Sequence, residues 1–146
     1  MKRNLAWHFT GPNLRDGTPI PRAGKWLQFD GNLVLCETGL HASRQPFDAL
    51  QFAPGNLLHL VDVGGTIIED NDKLVCSRRK IIVSMDADPL MRYFARMQAL
   101  SVVHLWDAPD VVLDFLMGDD AARAAARDAA WNDFNMLVFG AFEDWL

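Results

Sequence analysis

Residues 33–63 have the sequence LVLCETGLHASRQPFDALQFAPGNLLHLVDV, and they set out the order of elements in the first half of the chain. The apolar run 33–36 predicts a short strand, and Pro46 fits the first turn of a helix that a Pro-Gly pair then ends. The apolar run 57–63 predicts the next strand. His41 lies between the first strand and the helix, where a turn can present a side chain for chemistry.

The rest of the chain divides into two parts by the period of its apolar residues. Further apolar runs bounded by turn residues predict strands at 5–10, 25–29, 66–68, 74–76 and 80–85. After Asp86 the apolar residues recur at helical spacing. We therefore expect an α+β fold: a small, mostly antiparallel sheet with one short inserted helix, followed by a helical C-terminal half packed on it. The expected organisation is a single domain over 1–146, strand-rich over 1–86 and helical over 87–146.

Charge is unevenly distributed along the chain, whose net charge is −5. Residues 1–86 carry ten Lys or Arg and nine Asp or Glu, whereas residues 87–146 carry four and ten. The acidic second half would repel a polyanion, so we expect no direct nucleic-acid binding. No apolar run approaches the ~20 residues that span a bilayer, which predicts no membrane contact. Two cysteines in a chain of this size favour reduced thiols and a cytoplasmic location in the host cell.

Two blocks carry a family resemblance: LCETGLHASRQPFDALQFAPGN at 35–56 and DKLVCSRRKIIV at 72–83. They resemble an uncharacterised family of phage and prophage proteins, which has an LCE-GFHA-type core and a later K-V-C/A strand. The Ala/Arg/Asp/Trp-rich tail AARAAARDAAWNDF at 121–134 is also similar to the helical tail of that family. The resemblance implies a phage or prophage origin and no particular reaction.

An aromatic first strand with a histidine, followed by a Gly-Leu-His-Ala-Ser turn, resembles ADP-ribosyltransferase-like domains. That resemblance implies NAD as the cofactor, with His8 and Ser43 in the cofactor-binding roles. The late catalytic glutamate of those domains has no counterpart, because Arg78, Arg79 and Lys80 stand there. Without a carboxylate to stabilise positive charge on the ribose, transfer would be slow. Arg78 and Arg79 suit phosphate binding, and the alternative is that they form an exposed basic pair.

Other constellations are weaker. Cys36, His41, His59 and Cys76 could form a Cys₂His₂ metal site, but they lack a C-x₂-C pair, and buried cysteines are commonly apolar fillers. We therefore expect no metal. His41 and Ser43 are the remaining candidates for nucleophilic catalysis, yet neighbours on one turn seldom converge into a catalytic triad.

The helical half is rich in aromatic and acidic residues, a composition typical of protein interfaces when a basic surface is the partner. The expected partner-binding residues are Trp106, Asp110, Asp114, Asp119, Asp120, Phe139 and Trp145. The leading hypothesis is an accessory protein of phage or prophage origin that binds a host protein and inhibits a host defence system such as CRISPR–Cas, without a cofactor. The alternatives are an ADP-ribosyltransferase-like, NAD-binding enzyme and a homodimer with a structural role.

Overall fold

The computed structural model describes residues 2–141, except for the side chains at positions 131, 133–135 and 137–141. The strands of this part of the chain are β1 (Leu5–Thr10), β2 (Trp26–Gln28), β3 (Leu40–Ala42), β4 (Leu57–Glu69) and β5 (Leu74–Asp86). Its helices are α1 (Pro46–Leu50), α2 (Asp88–Val102), α3 (Asp110–Leu116) and α4 (Arg123–Ala141), with 3₁₀ turns at Val103–Leu105 and Asp120–Ala122. The α+β prediction is confirmed, and the helices lie mostly in the second half of the chain.

The chain divides into two compact units, residues 1–89 and 90–146, close to the predicted boundary at 86. We call them the strand-rich unit and the helical unit. Whether they form one domain stays a prediction. None of the helices within 2–141 has the length and apolar character needed to cross a bilayer.

The sheet of the strand-rich unit is antiparallel and closes on itself. Strand β1 pairs with β4, β4 pairs with β5, and β2 and β3 pair with successive segments of β5. Directly after β3, Ser43 exchanges two backbone hydrogen bonds with Trp7 of β1, with N···O distances of 2.7 and 2.8 Å. Strands β1, β4, β5 and β3 therefore form a ring. Small and branched apolar residues fill it, because a ring of so few strands leaves little room: Ala6, Ala42, Val61, Val63, Leu74, Cys76 and Ile81.

Irregularities in β4 bend the long β4–β5 hairpin enough to close this ring. The register with β5 shifts between Leu60 and Val61 and again between Gly64 and Ile67. Gly65, in the second shift, has a φ of +70°, a conformation that costs other residues strain. A β-carbon at Gly65 would also collide with the Ser77 hydroxyl.

Several predicted strands differ from the structure. The strands predicted at 74–76 and 80–85 are parts of one continuous strand, β5. The predicted strand at 33–36 is wrong: this segment is a tight turn in which Val34 and Thr38 exchange backbone hydrogen bonds and Cys36 has a φ of +66°. The strand lies instead at Leu40–Ala42, where it pairs with β5, so His41 is on a strand rather than at a strand-to-helix turn. The predicted strand at 66–68 is the continuation of β4 past its irregularity.

The helical unit is held together partly by Arg96 of α2. Its guanidinium lies 4.7 Å from the ring centroid of Phe115 in α3 and forms an ion pair with Asp120. Val112 of α3 and Ala126 of α4 are buried, whereas α2 contributes no buried residue.

Candidate functional site

The most unusual group in the strand-rich unit is the guanidinium of Arg79. This residue is only 5% exposed and lies at the middle of β5, opposite Val63 of β4, whose side chain belongs to the core inside the ring. Directly opposed residues of an antiparallel pair project to the same face, so Arg79 points into the ring. Burial lowers its pKa to about 10, which leaves it charged at neutral pH.

No carboxylate of a described residue lies within ion-pair distance of Arg79. Its guanidinium donates a hydrogen bond from Nη1 to the carbonyl oxygen of His41. The nearby Cys76 thiol is no counter-ion, because burial raises its pKa and it donates to the Leu40 carbonyl at 3.2 Å. Buried charges are normally paired, so an uncompensated guanidinium at this depth is a candidate site for an external anion.

Two histidines share the inner face with Arg79. His8 of β1 and His59 of β4 are directly opposed, and their ring centroids are 6.2 Å apart. Burial, followed by the charge of Arg79, lowers the pKa of His59 and holds that of His8 well below its usual range. Both imidazoles are therefore neutral near pH 7 and can each donate one N–H. We call His8, His59 and Arg79 the basic cluster.

His41 contributes its carbonyl rather than its ring to this cluster. Its neighbours Leu40 and Ala42 belong to the core, so strand alternation directs the His41 side chain to the other face. There its Nε2 accepts a hydrogen bond from the backbone N–H of Cys36 at 2.9 Å. Burial and then the charge of Arg79 lower the pKa of His41. This imidazole supports the 33–38 turn.

Arg78 and Arg79 lie on opposite faces of β5, because successive strand residues alternate. The Arg78 guanidinium is 4.7 Å from the ring centroid of Trp26, and the Lys80 ammonium is 4.6 Å from the same ring. Lys80 also pairs with Asp62 at 3.5 Å. The two arginines predicted as one phosphate site therefore belong to different environments, and only Arg79 joins the histidines.

The two residues proposed for NAD binding are likewise separated. Ser43 is directly opposed to Trp7 in the β1–β3 pairing, so both project to one face, whereas His8 projects to the other. Ser43 is buried, with 2% of its surface exposed. The structure thus brings His8 together with His59 and Arg79 rather than with Ser43.

The described residues contain no group of three or more His, Cys, Asp or Glu side chains arranged to hold a metal ion. Cys36 is exposed and Cys76 is buried, and both are free thiols. His59, the third member of the candidate metal set, bonds to hydroxyl groups instead: its Nε2 lies 2.8 Å from Thr10 Oγ1 and its Nδ1 lies 2.6 Å from Ser84 Oγ.

The sequence interpretation missed Thr10 and Ser84 as partners of His59. Thr10 is a small polar residue at the end of a predicted strand and Ser84 is an alternating residue of another, so neither carries a local signal. Only the β1–β4–β5 register brings the three together. Register depends on tertiary packing, which no motif reports.

The candidate partner-binding residues of the helical unit have mixed environments. Trp106 is half-buried, and Asp110 and Asp114 are exposed. Asp119 accepts a hydrogen bond from the Ala121 N–H, and Asp120 pairs with Arg96, so these two acids also stabilise the unit itself. The Phe139 side chain and all of Trp145 lie outside the described residues.

Exposed apolar side chains accompany these acids in the helical unit. The most exposed are Tyr93 (62%), Leu105 (77%), Met117 (77%) and Met136 (72%). Large exposed apolar residues near acidic ones are typical of protein interaction surfaces when they form a contiguous patch.

Comparisons with known proteins give a family and no function. Searches of curated proteins and of solved structures found no match to this chain. A family model described as a domain of unknown function, DUF7666, matches residues 4–93. That range contains strands β1 to β5 and every residue of the basic cluster. The chain therefore belongs to the family of the DUF7666 domain of unknown function.

Proposed function

We propose that the strand-rich unit binds a small ligand that carries a phosphate group, with Arg79 as the anchor. The observation that carries this proposal is the charged guanidinium buried to 95% without a carboxylate partner among the described residues. An anion that reaches it would gain a charge-assisted hydrogen bond in a low-dielectric environment. It would also remove the unfavourable free energy of an unpaired buried charge.

The neighbouring imidazoles favour phosphate over a simple carboxylate. Phosphate presents three or more acceptor oxygens, and the basic cluster offers donors from the Arg79 guanidinium and the partly buried His8 ring. The buried His59 ring lies beside them, with its two nitrogens bonded to Thr10 and Ser84. Both rings are neutral in the free protein because burial and Arg79 lower their pKa values. A bound dianion would raise those pKa values and could draw a proton onto a ring, which would strengthen binding.

NAD, the cofactor of the alternative hypothesis, belongs to this ligand class through its pyrophosphate. Binding without transfer is the form we favour, because β5 carries Arg78, Arg79 and Lys80 where ADP-ribosyltransferase-like domains have a glutamate. Among the described residues, moreover, no acid lies within ion-pair distance of Arg79. Label transfer from NAD to lysate proteins, abolished by His8→Ala, would reverse this preference.

Thermal unfolding with added phosphate, pyrophosphate, ADP or NAD tests the proposal, and Arg78→Met provides a matched control next to Arg79→Met. We expect at least one of these ligands to raise the melting temperature of the wild type and of Arg78→Met, and to have no effect on Arg79→Met. Equal loss of the response in both variants, or no response in the wild type, would contradict an anchoring role for Arg79.

The second candidate function is binding of a host protein by the helical unit, in a cytoplasmic accessory protein of phage or prophage origin. Four large apolar side chains of this unit that are more than 60% exposed support it, at Tyr93, Leu105, Met117 and Met136. The exposed acids Asp110 and Asp114 suit a partner with a basic surface, such as a nucleic-acid groove of a defence complex.

Capture of a single purified defence protein on the immobilised chain, measured at rising salt, tests this function. We expect Leu105→Ala and Asp114→Lys to weaken capture and rising salt to slow association. Met85→Ala, an equally simple truncation of an exposed residue in the strand-rich unit, should leave capture unchanged. Loss of capture in Met85→Ala alone would assign the interface to the other unit.

A further inference from the structure

Ser84 of β5 forms a hydroxyl–imidazole pair with His59 of β4, which also belongs to the basic cluster; Ser84 itself lies outside that cluster. They are directly opposed in the β4–β5 pairing, and Ser84 Oγ lies 2.6 Å from His59 Nδ1. Ser84 is exposed, whereas His59 is completely buried. The hydroxyl of an exposed residue is thus held against a completely buried ring.

A third residue orients this ring from the opposite side. Thr10 Oγ1 lies 2.8 Å from His59 Nε2, and Thr10 is only 2% exposed. A neutral imidazole has one N–H and one lone pair, so it donates to one of these hydroxyls and accepts from the other. With the proton on Nε2 and Thr10 as its acceptor, the lone pair of Nδ1 faces the Ser84 hydroxyl. This is the geometry of an activated nucleophile, in which a hydroxyl is hydrogen-bonded to a base and the base is hydrogen-bonded to an orienting group.

We infer that Ser84 is a nucleophile for acyl transfer, with His59 as its general base and Thr10 as the positioning residue, and that the substrate class is activated carboxylic esters. The Ser84 oxygen bonds to the carbonyl carbon of the ester, and its proton moves to His59 Nδ1. The bond from that carbon to the leaving oxygen then breaks, and the leaving oxygen takes the proton from His59. The products are acyl-Ser84 and a free alcohol or phenol.

This inference shares His59 with the proposed ligand site, but it does not require that a ligand bind there. Ser84 is not part of the basic cluster, so Ser84→Ala should keep the response of the melting temperature to phosphate. Loss of acylation with that response intact would show that the Ser84 hydroxyl serves acylation and not phosphate binding. Failure of the phosphate response would equally leave acylation of the wild type measurable.

The experiment is acetylation by p-nitrophenyl acetate, followed by release of p-nitrophenol and by mapping of the modified peptide in the wild-type protein. We expect one acetyl group per chain, located on Ser84, and a loss of at least about 100-fold in the rate in Ser84→Ala and His59→Gln. The matched controls are Ser101→Ala and His104→Gln, which alter an exposed serine and an exposed histidine of the helical unit. They should react like the wild type.

The position of the ring proton gives a readout that needs no variant. Nitrogen NMR of the wild type should place the His59 proton on Nε2, and Thr10→Val should disturb that tautomer whereas Thr10→Ser should preserve it. Acetylation confined to lysines, a rate that Ser84→Ala leaves unchanged, or a proton on Nδ1 facing Ser84 would each overturn the inference.

Discussion

Replacing Arg79 by methionine should stabilise the ligand-free protein, although it removes a central residue of the core. Burial lowers the pKa of this guanidinium to about 10. Each pKa unit corresponds to about 1.4 kcal/mol, so the charge raises the free energy of the folded state by about 3 kcal/mol relative to the unfolded state. At neutral pH the arginine is protonated in both states, so the full penalty is present there. It begins to fall as the pH rises through the folded-state pKa of about 10, and it is gone only above the higher pKa of the unfolded state.

Part of the stabilisation from removing the buried charge is offset in the variant by a lost hydrogen bond. Methionine cannot donate the Nη1 hydrogen bond to the His41 carbonyl, and an unpaired buried carbonyl costs about 1–2 kcal/mol. The expected net effect is a stabilisation of about 1–2 kcal/mol, because methionine fills most of the volume with a flexible apolar chain. For a unit of 89 residues this corresponds to a rise of about 5–10 °C in the melting temperature.

Chemical and thermal unfolding of Arg79→Met and wild type, each with and without phosphate, measures both parts of the prediction. Phosphate at about 100 times its Kd would stabilise the wild type by about 2.7 kcal/mol and should leave the variant unchanged. Arg79→Lys serves as the control that keeps a charge. A variant destabilised by 2 kcal/mol or more, with an unchanged phosphate response, would show that Arg79 is a structural residue and refute the reasoning.

Three further perturbations probe the site and its scaffold. The stabilisation of the wild type by sulfate, which stays a dianion over this range, should be larger at about pH 5.5 than at about pH 7.5 in thermal melts. The reason is that the depressed imidazoles of the basic cluster take up protons beside a bound anion; an equal effect at both pH values would contradict this. Gly65→Ala should cost about 2–3 kcal/mol in urea unfolding, through strain and collision with Ser77, whereas Gly17→Ala, with a similar φ and open space, should cost about 1 kcal/mol. Arg96→Met should destabilise the helical unit by about 1–2 kcal/mol in the same assay, and Arg127→Met, which alters a pair with its sequence neighbour, by less than about 0.5 kcal/mol.

The strand and helix content follows from local patterns, but strand positions near the ring closure do not. The apolar run at 33–36 has the composition of a strand, yet it forms a turn in which Cys36 takes a positive φ. Strand β3 forms at Leu40–Ala42 because Leu74 and Cys76 of β5 need a partner along that edge. Periodicity describes one segment at a time, so it cannot report which of two adjacent segments will pair with a distant strand.

The candidate site shows the same division between local and tertiary information. Strand alternation alone separates Arg78 from Arg79, since neighbours on β5 must face opposite ways. Which of them points inward depends on the irregularities of β4, and these are not encoded by either arginine. The pairing of His59 with His8 and Ser84 likewise requires the register of three strands. The residue types therefore indicated a basic, anion-binding site, whereas the strand register determines which of these residues lie together.

The energetic cost of Arg79 is itself an argument for ligand binding over a purely structural role. The free energy of unfolding of a small domain is only about 5–15 kcal/mol. A penalty of about 3 kcal/mol at one buried residue is therefore a large fraction of the total stability. A structural arginine would offset that penalty with a carboxylate, as Lys80 does on the opposite face with Asp62. The inner face offers neutral imidazoles instead, and under the proposed function these would accommodate a charge that arrives from outside. An external anion would provide the counter-charge that the buried Arg79 guanidinium lacks among the described residues.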